Sequence, residues 1–597
     1  MKILLAAINA KYIHSNPAVY SLATYAGEYL SIEEKEQCRI EIAEYTINHR
    51  VENIYGDIYK KRPDIIGFSC YIWNWEYIQE IITELSKLLP GIKIYLGGPE
   101  VSFTAEKILQ EYPFLQGIME GEGEELFLQL CKFYSKKENE NKLPKIEGII
   151  TPKKNEEKKE EEAIQNSERK LLSMDQIPFI YKDMKEFANR IVYYESSRGC
   201  PYRCSYCLSS IDKQLRFRSL DKVKEELKFF LDKKVMQVKF IDRTFNCNRN
   251  HALEIWKYLL KEDNGITNFH FEVSADLIRE EELELFKKMR PGLIQLEIGV
   301  QSTNPATIKE IDRTMDLAVL QKNVAAMNSY SNIHQHLDLI AGLPFEDYET
   351  FKHSFNQVYE MEPNQLQLGF LKVLKGAKMW RNAKEYGLFY TTKPPYEVLY
   401  TKWISYEEIL RLKRIEEMVE IFYNSSQFTY TMAMLVKEFN TPFDLYEELA
   451  FFYEDRGYLL NSPARTYRYQ ILLDFCVMKA EEKKEMYTQL LIFDLYLREK
   501  VKTRPDFAIF PDHYKEISYE IYKREEEERT LLAEYREYNS KQLSKMTHLE
   551  IFTYSVWEKG NCRLCKDSEP VIFDYKRRNP LTKEAKVIHL QEKKGES

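Results

Sequence analysis

Three cysteines in one short segment are the residues of this chain best suited to chemistry. Cys200, Cys204 and Cys207 stand in the segment ESSRGCPYRCSYC with the spacing C-x-x-x-C-x-x-C. Cysteine thiolates are the usual protein ligands of iron–sulfur clusters. A loop with three of them can hold three irons of a [4Fe–4S] cluster and leave the fourth iron open. The motif therefore predicts a cluster with one open coordination site.

Two other uses of these cysteines fit the sequence less well. A structural zinc site needs a fourth ligand and usually pairs two C-x-x-C motifs, but the other close pair, Cys562 and Cys565, lies far downstream. A disulfide framework is typical of short secreted chains, whereas this chain has 597 residues and ten cysteines. The N-terminal segment MKILLAAIN is too short for a signal sequence and predicts a buried strand. We therefore expect a reducing, anaerobic cytoplasm.

Length and charge indicate several domains with a mixed surface. A chain of 597 residues corresponds to about three or four domains. The 86 basic and 94 acidic residues give a net charge of −8, which provides no signal for binding long nucleic acids. No apolar run reaches the roughly 18 residues of a membrane-spanning helix.

Residues 1–150 alternate apolar strand segments with helical patterns, which predicts a Rossmann-like parallel sheet. The predicted strands are Ile3–Ile8, Ile40–Thr46, Ile65–Ser69, Ile92–Leu96 and Gly117–Met119. Ligands of such sheets bind at the carboxyl ends of the strands. Several of the loops there contain glycine, which lets a large ligand approach the backbone closely. The expected contacts are Lys11, Tyr12, His14, Ser69, Tyr71, Gly97, Gly98, Gly121 and Glu122.

Three further segments follow. Residues 151–172 are dense in charge and predict a solvated linker. Residues 173–390 repeat a strand–helix rhythm with six strands, which predicts a partial (β/α)6 barrel of the TIM type with its active site at the carboxyl ends of the strands. Residues 391–597 have helical periodicity and predict a mainly helical domain. The predicted barrel strands are Ile191–Ser197, Val235–Ile241, Phe269–Ser274, Leu293–Val300, His334–Ile340 and Gln365–Lys372.

The cysteine motif, with Tyr206 directly before its last cysteine, resembles that of the radical S-adenosylmethionine (SAM) superfamily. The resemblance implies that Cys200, Cys204 and Cys207 hold the cluster and are catalytic, because the open iron chelates SAM and an electron cleaves it to a 5′-deoxyadenosyl radical. It also implies SAM contacts at successive strand ends of the barrel. Those contacts are Tyr206, Phe240, Asp242, Glu272, Ser274, Glu297, Gln301 and Leu343.

Residues 1–390 together resemble the cobalamin-dependent radical SAM class, to which many methylases and the anaerobic magnesium-protoporphyrin ester cyclase belong. The resemblance rests on Gly97-Gly98-Pro99 and Gly121-Glu122-Gly123-Glu124 ahead of the cysteine motif. It implies that the N-terminal residues named above bind cobalamin. The motif Asp-x-His-x-x-Gly is absent, so we expect no histidine ligand to cobalt, and His14 is interpreted as a hydrogen-bonding residue. The C-terminal region resembles DUF4080, a domain of unknown function found with such proteins.

Two features remain open at this stage. His334, His336 and Asp338 alternate on one predicted strand and so share a face. They could bind a metal ion or substrate, relay protons, or form a hydrogen-bonded trio. The pair Cys562 and Cys565 could be a redox pair or half of a metal site.

The sequence thus predicts a cobalamin-dependent radical SAM enzyme that methylates an unactivated carbon. The alternatives are a cyclase or rearrangement enzyme with the same cofactors, and a non-catalytic protein that responds to cobalamin or redox state. The expected cofactors are a [4Fe–4S] cluster, SAM and cobalamin. The expected partners are an unidentified substrate and a reductant such as flavodoxin or ferredoxin.

Overall fold

The computed structural model describes residues 1–152, 171–211 and 214–590. Most of the predicted charged linker, residues 153–170, lies outside this described part of the chain. Within it, no helix is long and apolar enough to cross a membrane.

The N-terminal sheet has six strands within the described residues, in the order β2-β1-β3-β4-β5-β6. The first five are parallel, and β6 pairs antiparallel with β5. The strands are Lys2–Asn9 (β1), Arg39–Thr46 (β2), Ile65–Ser69 (β3), Lys93–Gly97 (β4), Gly117–Met119 (β5) and Ile149–Ile150 (β6). The α-helices of this region are Pro17–Tyr29, Ile32–Gln37, Val51–Lys61, Trp75–Leu88, Pro99–Ser102, Ala105–Glu111 and Glu124–Tyr134.

Strand β1 explains why this sheet is covered on both faces. Leu4, Ala6 and Ile8 pack into one apolar core. Ile3, Leu5 and Ala7 pack into a second core on the opposite face. Because successive side chains of a strand point to opposite faces, a continuous apolar run needs helices on both sides.

The second sheet forms an open barrel of six parallel strands within the described chain, in the order β14-β13-β12-β11-β10-β7. A short antiparallel pair, β8 and β9, lies beside the cysteine loop. The strands are Val192–Tyr194 (β7), Ser197–Arg198 (β8), Arg216–Phe217 (β9), Gln237–Phe240 (β10), Asn268–Val273 (β11), Ile294–Gln301 (β12), His334–Ala341 (β13) and Gln365–Phe370 (β14). The α-helices are Leu220–Asp232, Arg249–Lys261, Glu280–Phe286, Pro305–Glu310, Leu317–Tyr330, Tyr348–Tyr359 and Lys378–Arg381.

The barrel strands alternate apolar and polar residues rather than running apolar throughout. In β12, Ile294, Leu296, Ile298 and Val300 are fully buried in the apolar core, while the residues between them are partly accessible. The alternation places Gln295, Glu297, Gly299 and Gln301 on the opposite, interior face. The barrel interior is therefore polar.

The C-terminal region joins the barrel through one continuous apolar core that includes residues of both. Tyr348 and Phe355 of a barrel helix pack against Phe443, and the Tyr348 hydroxyl donates to Glu447 at 2.5 Å. Its helices are Tyr406–Val419, Thr429–Leu435, Pro442–Asp455, Tyr458–Asn461, Tyr467–Lys479, Lys484–Arg498, Tyr514–Glu528 and Ser540–Met546. The remaining strands are Phe389–Tyr390 (β15), Val398–Tyr400 (β16), Thr547–Tyr554 (β17), Leu564–Arg578 (β18) and Ala585–His589 (β19).

The predicted fold class, a parallel α/β sheet followed by a partial barrel and a mainly helical region, is confirmed. The sequence analysis missed the antiparallel sheet β17-β18-β19. Strand β18 begins with several charged residues, so its sequence does not have the apolar pattern of a strand. Its later segment Val571-Ile572-Phe573 is nevertheless fully buried.

Candidate active site

The cysteine loop begins at a turn that only glycine fits. Gly199 has a φ of +98°, and a Cβ there would lie 2.6 Å from the carbonyl oxygen of Gln214. The chain therefore reverses between β8 and Cys200 without a side chain in the way. This turn sets where the first cysteine of the motif lies.

Backbone hydrogen bonds attach the rest of the loop to the barrel wall. The Ser205 amide donates to the Ile311 carbonyl at 2.9 Å, and the Met379 amide donates to the Ser205 carbonyl at 2.8 Å. The Cys207 amide donates to the Cys204 carbonyl at 3.1 Å. Cys200, Cys204 and Cys207 all line one cleft of about 190 Å³, so the structure brings the predicted cluster ligands together.

Arg313 supplies a half-buried positive charge beside the cysteines, and the sequence analysis missed it. Its Nη1 lies 3.9 Å from Cys204 Sγ and 3.5 Å from the Tyr206 hydroxyl. Its other terminal nitrogen donates to the Gly299 carbonyl. A guanidinium here supplies a positive charge beside the thiolates that would bind iron. Burial raises the pKa of Cys200, so this thiol must lose a proton when it binds iron.

The cleft also gathers most of the predicted SAM contacts. Glu272, Ser274, Glu297, Gln301 and Tyr206 line it with the cysteines. The Oε1 atom of Gln301 is buried and has no hydrogen-bond partner among the described residues. A buried amide oxygen without a donor is expected to meet one on a ligand.

Two predicted SAM contacts, Phe240 and Leu343, lie in the apolar core. Phe240 is fully buried among Tyr194, Phe245 and Phe271. Leu343 is also fully buried. The preceding Gly342 lies so close to Val398 that a Cβ at Gly342 would be 2.8 Å from a methyl carbon of Val398. Neither side chain lines the cleft within the described chain.

Asp242 differs from its predicted role as a SAM contact. It is 1% exposed, and its carboxylate accepts hydrogen bonds from the Ser196 amide at 3.0 Å, the Ser196 hydroxyl at 2.7 Å and the Ser197 hydroxyl at 2.5 Å. Burial raises the pKa of Asp242 to about 6, although these hydrogen bonds oppose the shift. In this structure the Asp242 carboxylate therefore holds the strand that leads into the cysteine loop.

A second cavity, of about 400 Å³, lies at the carboxyl ends of the N-terminal strands. Its lining includes Ser69, Tyr71, Gly97, Gly98 and Gly121, which the sequence analysis had selected. Gly98 has φ +111° and ψ 170°, a backbone conformation open essentially to glycine alone. A Cβ at Gly98 would lie 2.5 Å from the carbonyl oxygen of Cys70.

Glu122 also lines this cavity, but its carboxylate is engaged in ion pairs with the barrel domain. It pairs with Arg216 and lies 3.3 Å from Arg198. Arg198 also pairs with Glu124 at 3.0 Å and with Glu195 at 2.7 Å. Burial alone would raise the pKa of Glu124, but the charge of Arg198 holds it below its usual range. These pairs fix the N-terminal loops to the segment just before Cys200.

His14 lines a third cavity, of about 550 Å³, between the two domains. Its Nδ1 lies 2.5 Å from the hydroxyl of Tyr193 on β7, in agreement with a hydrogen-bonding role. Lys11 and Tyr12 are exposed and line none of the three cavities formed by the described residues. The ring of Tyr12 lies instead 5.3 Å from the guanidinium of Arg190.

The three cavities share walls and so form one series. Tyr71, Glu195 and Arg198 line both the N-terminal cavity and the interdomain cavity. Arg243 and Glu272 line both the interdomain cavity and the cysteine cleft. A ligand on the N-terminal loops and a ligand at the cysteines would therefore face each other across the interdomain cavity.

The residues present fit the three predicted cofactors. Three thiols in one cleft are the donor set of a [4Fe–4S] cluster with one open iron. The unpartnered Gln301 oxygen and the Glu272 carboxylate offer acceptors to SAM. The glycine-lined N-terminal cavity allows close backbone approach by a large ring.

Three family models match successive parts of this chain. Residues 3–130 match the B12 binding domain, residues 194–358 match the radical SAM superfamily, and residues 384–573 match a protein family of unknown function, DUF4080. The fold and site therefore define a radical SAM protein with a B12-binding domain. The chain also contains a region that matches DUF4080.

Individual relatives match parts of this chain. An uncharacterized methyltransferase, PH0819 from Pyrococcus horikoshii, is 24% identical over 378 residues, which are 60% of this chain and 78% of that protein. The cobalamin-dependent radical SAM methyltransferase TokK from Streptomyces tokunonensis is 24% identical over 348 residues, 55% of this chain and 50% of TokK. The chain thus spans only about half of TokK. The cobalamin-dependent radical enzyme OxsB has a similar fold, with a TM-score of 0.55, 17% identity, and coverage of 83% of this chain and 78% of OxsB.

Proposed function

We propose that the protein is a cobalamin-dependent radical SAM methyltransferase that acts on an unactivated carbon. The main support for the proposal is that Arg243 and Glu272 line both the interdomain cavity and the cysteine cleft, so the two cavities adjoin. When bound, the cluster with SAM supplies hydrogen-atom abstraction, and cobalamin supplies the methyl group. The methyltransferase names of two relatives support this assignment.

The chain's own residues bind and orient these groups. Cys200, Cys204 and Cys207 are proposed as the cluster ligands, and Arg313 stabilises their negative charge. Glu272, Ser274 and Gln301 are proposed to contact SAM. The loops at Ser69, Gly97 and Gly121 are proposed to hold cobalamin. The ion pairs of Arg198 keep the two sets of ligands in a fixed relation.

We further propose a cytoplasmic location and a flavodoxin- or ferredoxin-type reductant. All ten cysteines are free thiols, which suits a reducing compartment. The proposed cluster needs a one-electron donor, and small electron carriers of these types deliver single electrons.

The test is an anaerobic reaction with methyl-labelled SAM and cobalamin. The reconstituted protein should bind about four irons per chain, release 5′-deoxyadenosine, and move the label from SAM into the cobalamin fraction. Cys204→Ala should abolish SAM cleavage. Cys247→Ala is the matched control, because Cys247 is a partly buried free thiol near Cys200 but is outside the motif.

Two outcomes would replace the proposal with its alternatives. SAM cleavage with no label in cobalamin would favour a cyclase or rearrangement enzyme, whose product gains no methyl mass. Bound cofactors without any SAM cleavage would favour a non-catalytic sensor. SAM cleavage that persists in Cys204→Ala would overturn the cluster assignment.

A further inference from the structure

The polar interior of the barrel contains a cluster of side chains to which the proposed function gives no role, although Glu297 among them was predicted from the sequence as a SAM contact. Glu297 on β12 lies directly opposite His336 on β13 in the strand register. His336 and Asp338 are two residues apart on one strand and therefore share a face. One ligand atom from each of Glu297, His336 and Asp338 lies within 4.8 Å of the others. Three potential metal ligands thus converge on one point.

The imidazole of His336, and that of His270 beside the cluster, each lie within hydrogen-bond distance of a carboxylate but out of line with it. Nε2 of His336 lies 2.9 Å from Oδ1 of Asp338, and Nε2 of His270 lies 3.1 Å from Oε2 of Glu297. Within the described chain, neither ring nitrogen has a hydrogen-bond partner of acceptable geometry. Both histidine side chains are only 9% exposed. Buried donors normally point at their acceptors, whereas ligands of one ion all point at the ion.

The charges of the cluster leave one carboxylate without a full cationic partner. The ammonium of Lys239 lies 3.0 Å from Oε2 of Glu297 and compensates that group. Among the described residues, Asp338 has only the imidazole of His336 as an ion-pair partner. The Asp338 side chain is 22% exposed, and a partly buried carboxylate is stabilised when a positive charge accompanies it. A bound cation would supply that charge.

We propose that Glu297, His336 and Asp338 bind one divalent transition-metal cation inside the barrel. One imidazole nitrogen and two carboxylate oxygens form a mixed donor set that suits Zn²⁺, Fe²⁺ or Mn²⁺. The site is separate from the cluster because it uses no cysteine. Glu297 and Asp338 also line the cysteine cleft, so the cation would lie in its wall and meet whatever occupies it.

Manganese is the probe of choice because its free ion has a strong electron paramagnetic resonance signal. The holoprotein with an oxidised [4Fe–4S]²⁺ cluster and cob(III)alamin is silent in that experiment. Titration of this protein with Mn²⁺ should show one ion bound per chain. Zn²⁺ should displace it, since zinc binds such sites more tightly than manganese. No binding of Mn²⁺ at any concentration up to the millimolar range would overturn the proposal.

Substitutions connect the binding to these residues. His336→Gln and Glu297→Gln should each weaken Mn²⁺ binding at least tenfold. His334→Gln is the matched control, because His334 is on the same strand and largely buried but outside the three-ligand set. Cluster absorbance and circular dichroism report whether each variant is folded. Equal Mn²⁺ affinity in folded His336→Gln and wild type would contradict the site.

A measurement on the wild type needs no folded variant. Pulsed hyperfine spectroscopy of the bound Mn²⁺ should detect coupling to one imidazole nitrogen, from His336. A bound ion that shows no nitrogen coupling would place Mn²⁺ elsewhere and overturn the assignment. Because neither measurement uses SAM turnover, a failed methyl-transfer test would leave this result unaffected.

Discussion

Arg198, two residues before the first motif cysteine, and Glu124 of the B12-binding domain form an ion pair of 3.0 Å between largely buried side chains. Arg198 also contacts Glu122 of the same N-terminal loop and Glu195 of its own segment. The guanidinium thus joins the loop of one proposed cofactor site to the loop of the other. This side chain therefore contributes to the relative position of the two proposed cofactor sites.

Arg198→Met should destabilise the protein by about 3–5 kcal/mol, because it leaves the buried Glu124 carboxylate without its cation. The measurement is a urea unfolding curve of the apoprotein. Lys87→Met is the control, since the Lys87–Glu84 pair is exposed and should contribute less than about 1 kcal/mol. Similar losses of unfolding free energy in the two variants would show that the interdomain pair stabilises the protein no more than an exposed pair does.

Gly98→Ala should lower stability by about 1–3 kcal/mol, because alanine cannot easily adopt the backbone angles of Gly98. The new Cβ would also lie 2.5 Å from the Cys70 carbonyl oxygen. Thermal unfolding measures the loss, and cobalamin binding should weaken with it. Gly97→Ala is the matched control, since its Cβ would meet Met119 at an ordinary 3.6 Å. Unchanged stability in Gly98→Ala would refute the argument.

Local sequence patterns were sufficient for the two parallel sheets. Strand β1 is apolar along most of its length and buried on both faces. Such a run is typical of a central strand in a parallel sheet that helices cover on both sides. The cysteines were equally predictable, because all three lie within eight consecutive residues. By contrast, Arg313 acts 109 residues away from Cys204, and nothing in its local sequence indicates that contact.

The surroundings of Asp242 could not be predicted from its position in the sequence. Its position at the end of β10 is compatible with a ligand contact, and sequence shows position but not side-chain direction. Ser196 and Ser197 offer it three donors inside the protein, so the carboxylate turns inward. Contacts between distant segments decide such cases, and one sequence alone does not contain them.

Asp242 should make stability depend on pH. Burial raises its pKa from 3.8 to about 6 in the folded state, so the folded protein holds this proton more tightly than the unfolded chain does. Its contribution to the free energy of unfolding is on the order of 3 kcal/mol. This contribution is fully present below about pH 4 and is lost as the pH rises through 6.

Asp242→Asn removes this titration while keeping a similar shape. The stability of the variant minus that of wild type should be larger at pH 7.5 than at pH 5. Urea midpoints of both proteins at both pH values measure this difference. Glu33→Gln, at an exposed position, provides the control. Parallel pH profiles for wild type and Asp242→Asn would exclude a shifted pKa.

Tyr396, in the DUF4080 region, should influence cobalamin binding although it lies in another domain. Its hydroxyl donates to Oε1 of Glu100, which Lys375 also contacts at 2.6 Å. Glu100 is 5% exposed and directly follows Gly97-Gly98-Pro99, so the pair anchors a proposed cobalamin loop. Tyr396→Phe removes one donor to a buried carboxylate, which typically costs about 1–3 kcal/mol.

We expect cobalamin affinity in Tyr396→Phe to fall between a few-fold and a hundredfold, with the fold retained because Lys375 still neutralises Glu100. Absorption titration with hydroxocobalamin measures the change. Tyr386→Phe is the matched control, since its hydroxyl donates at 2.7 Å to Glu310, a residue outside the N-terminal cavity lining. If both variants bind cobalamin like wild type, the DUF4080 region does not position this loop through Tyr396. If only Tyr396→Phe is weakened, this uncharacterised region helps to build the cobalamin site.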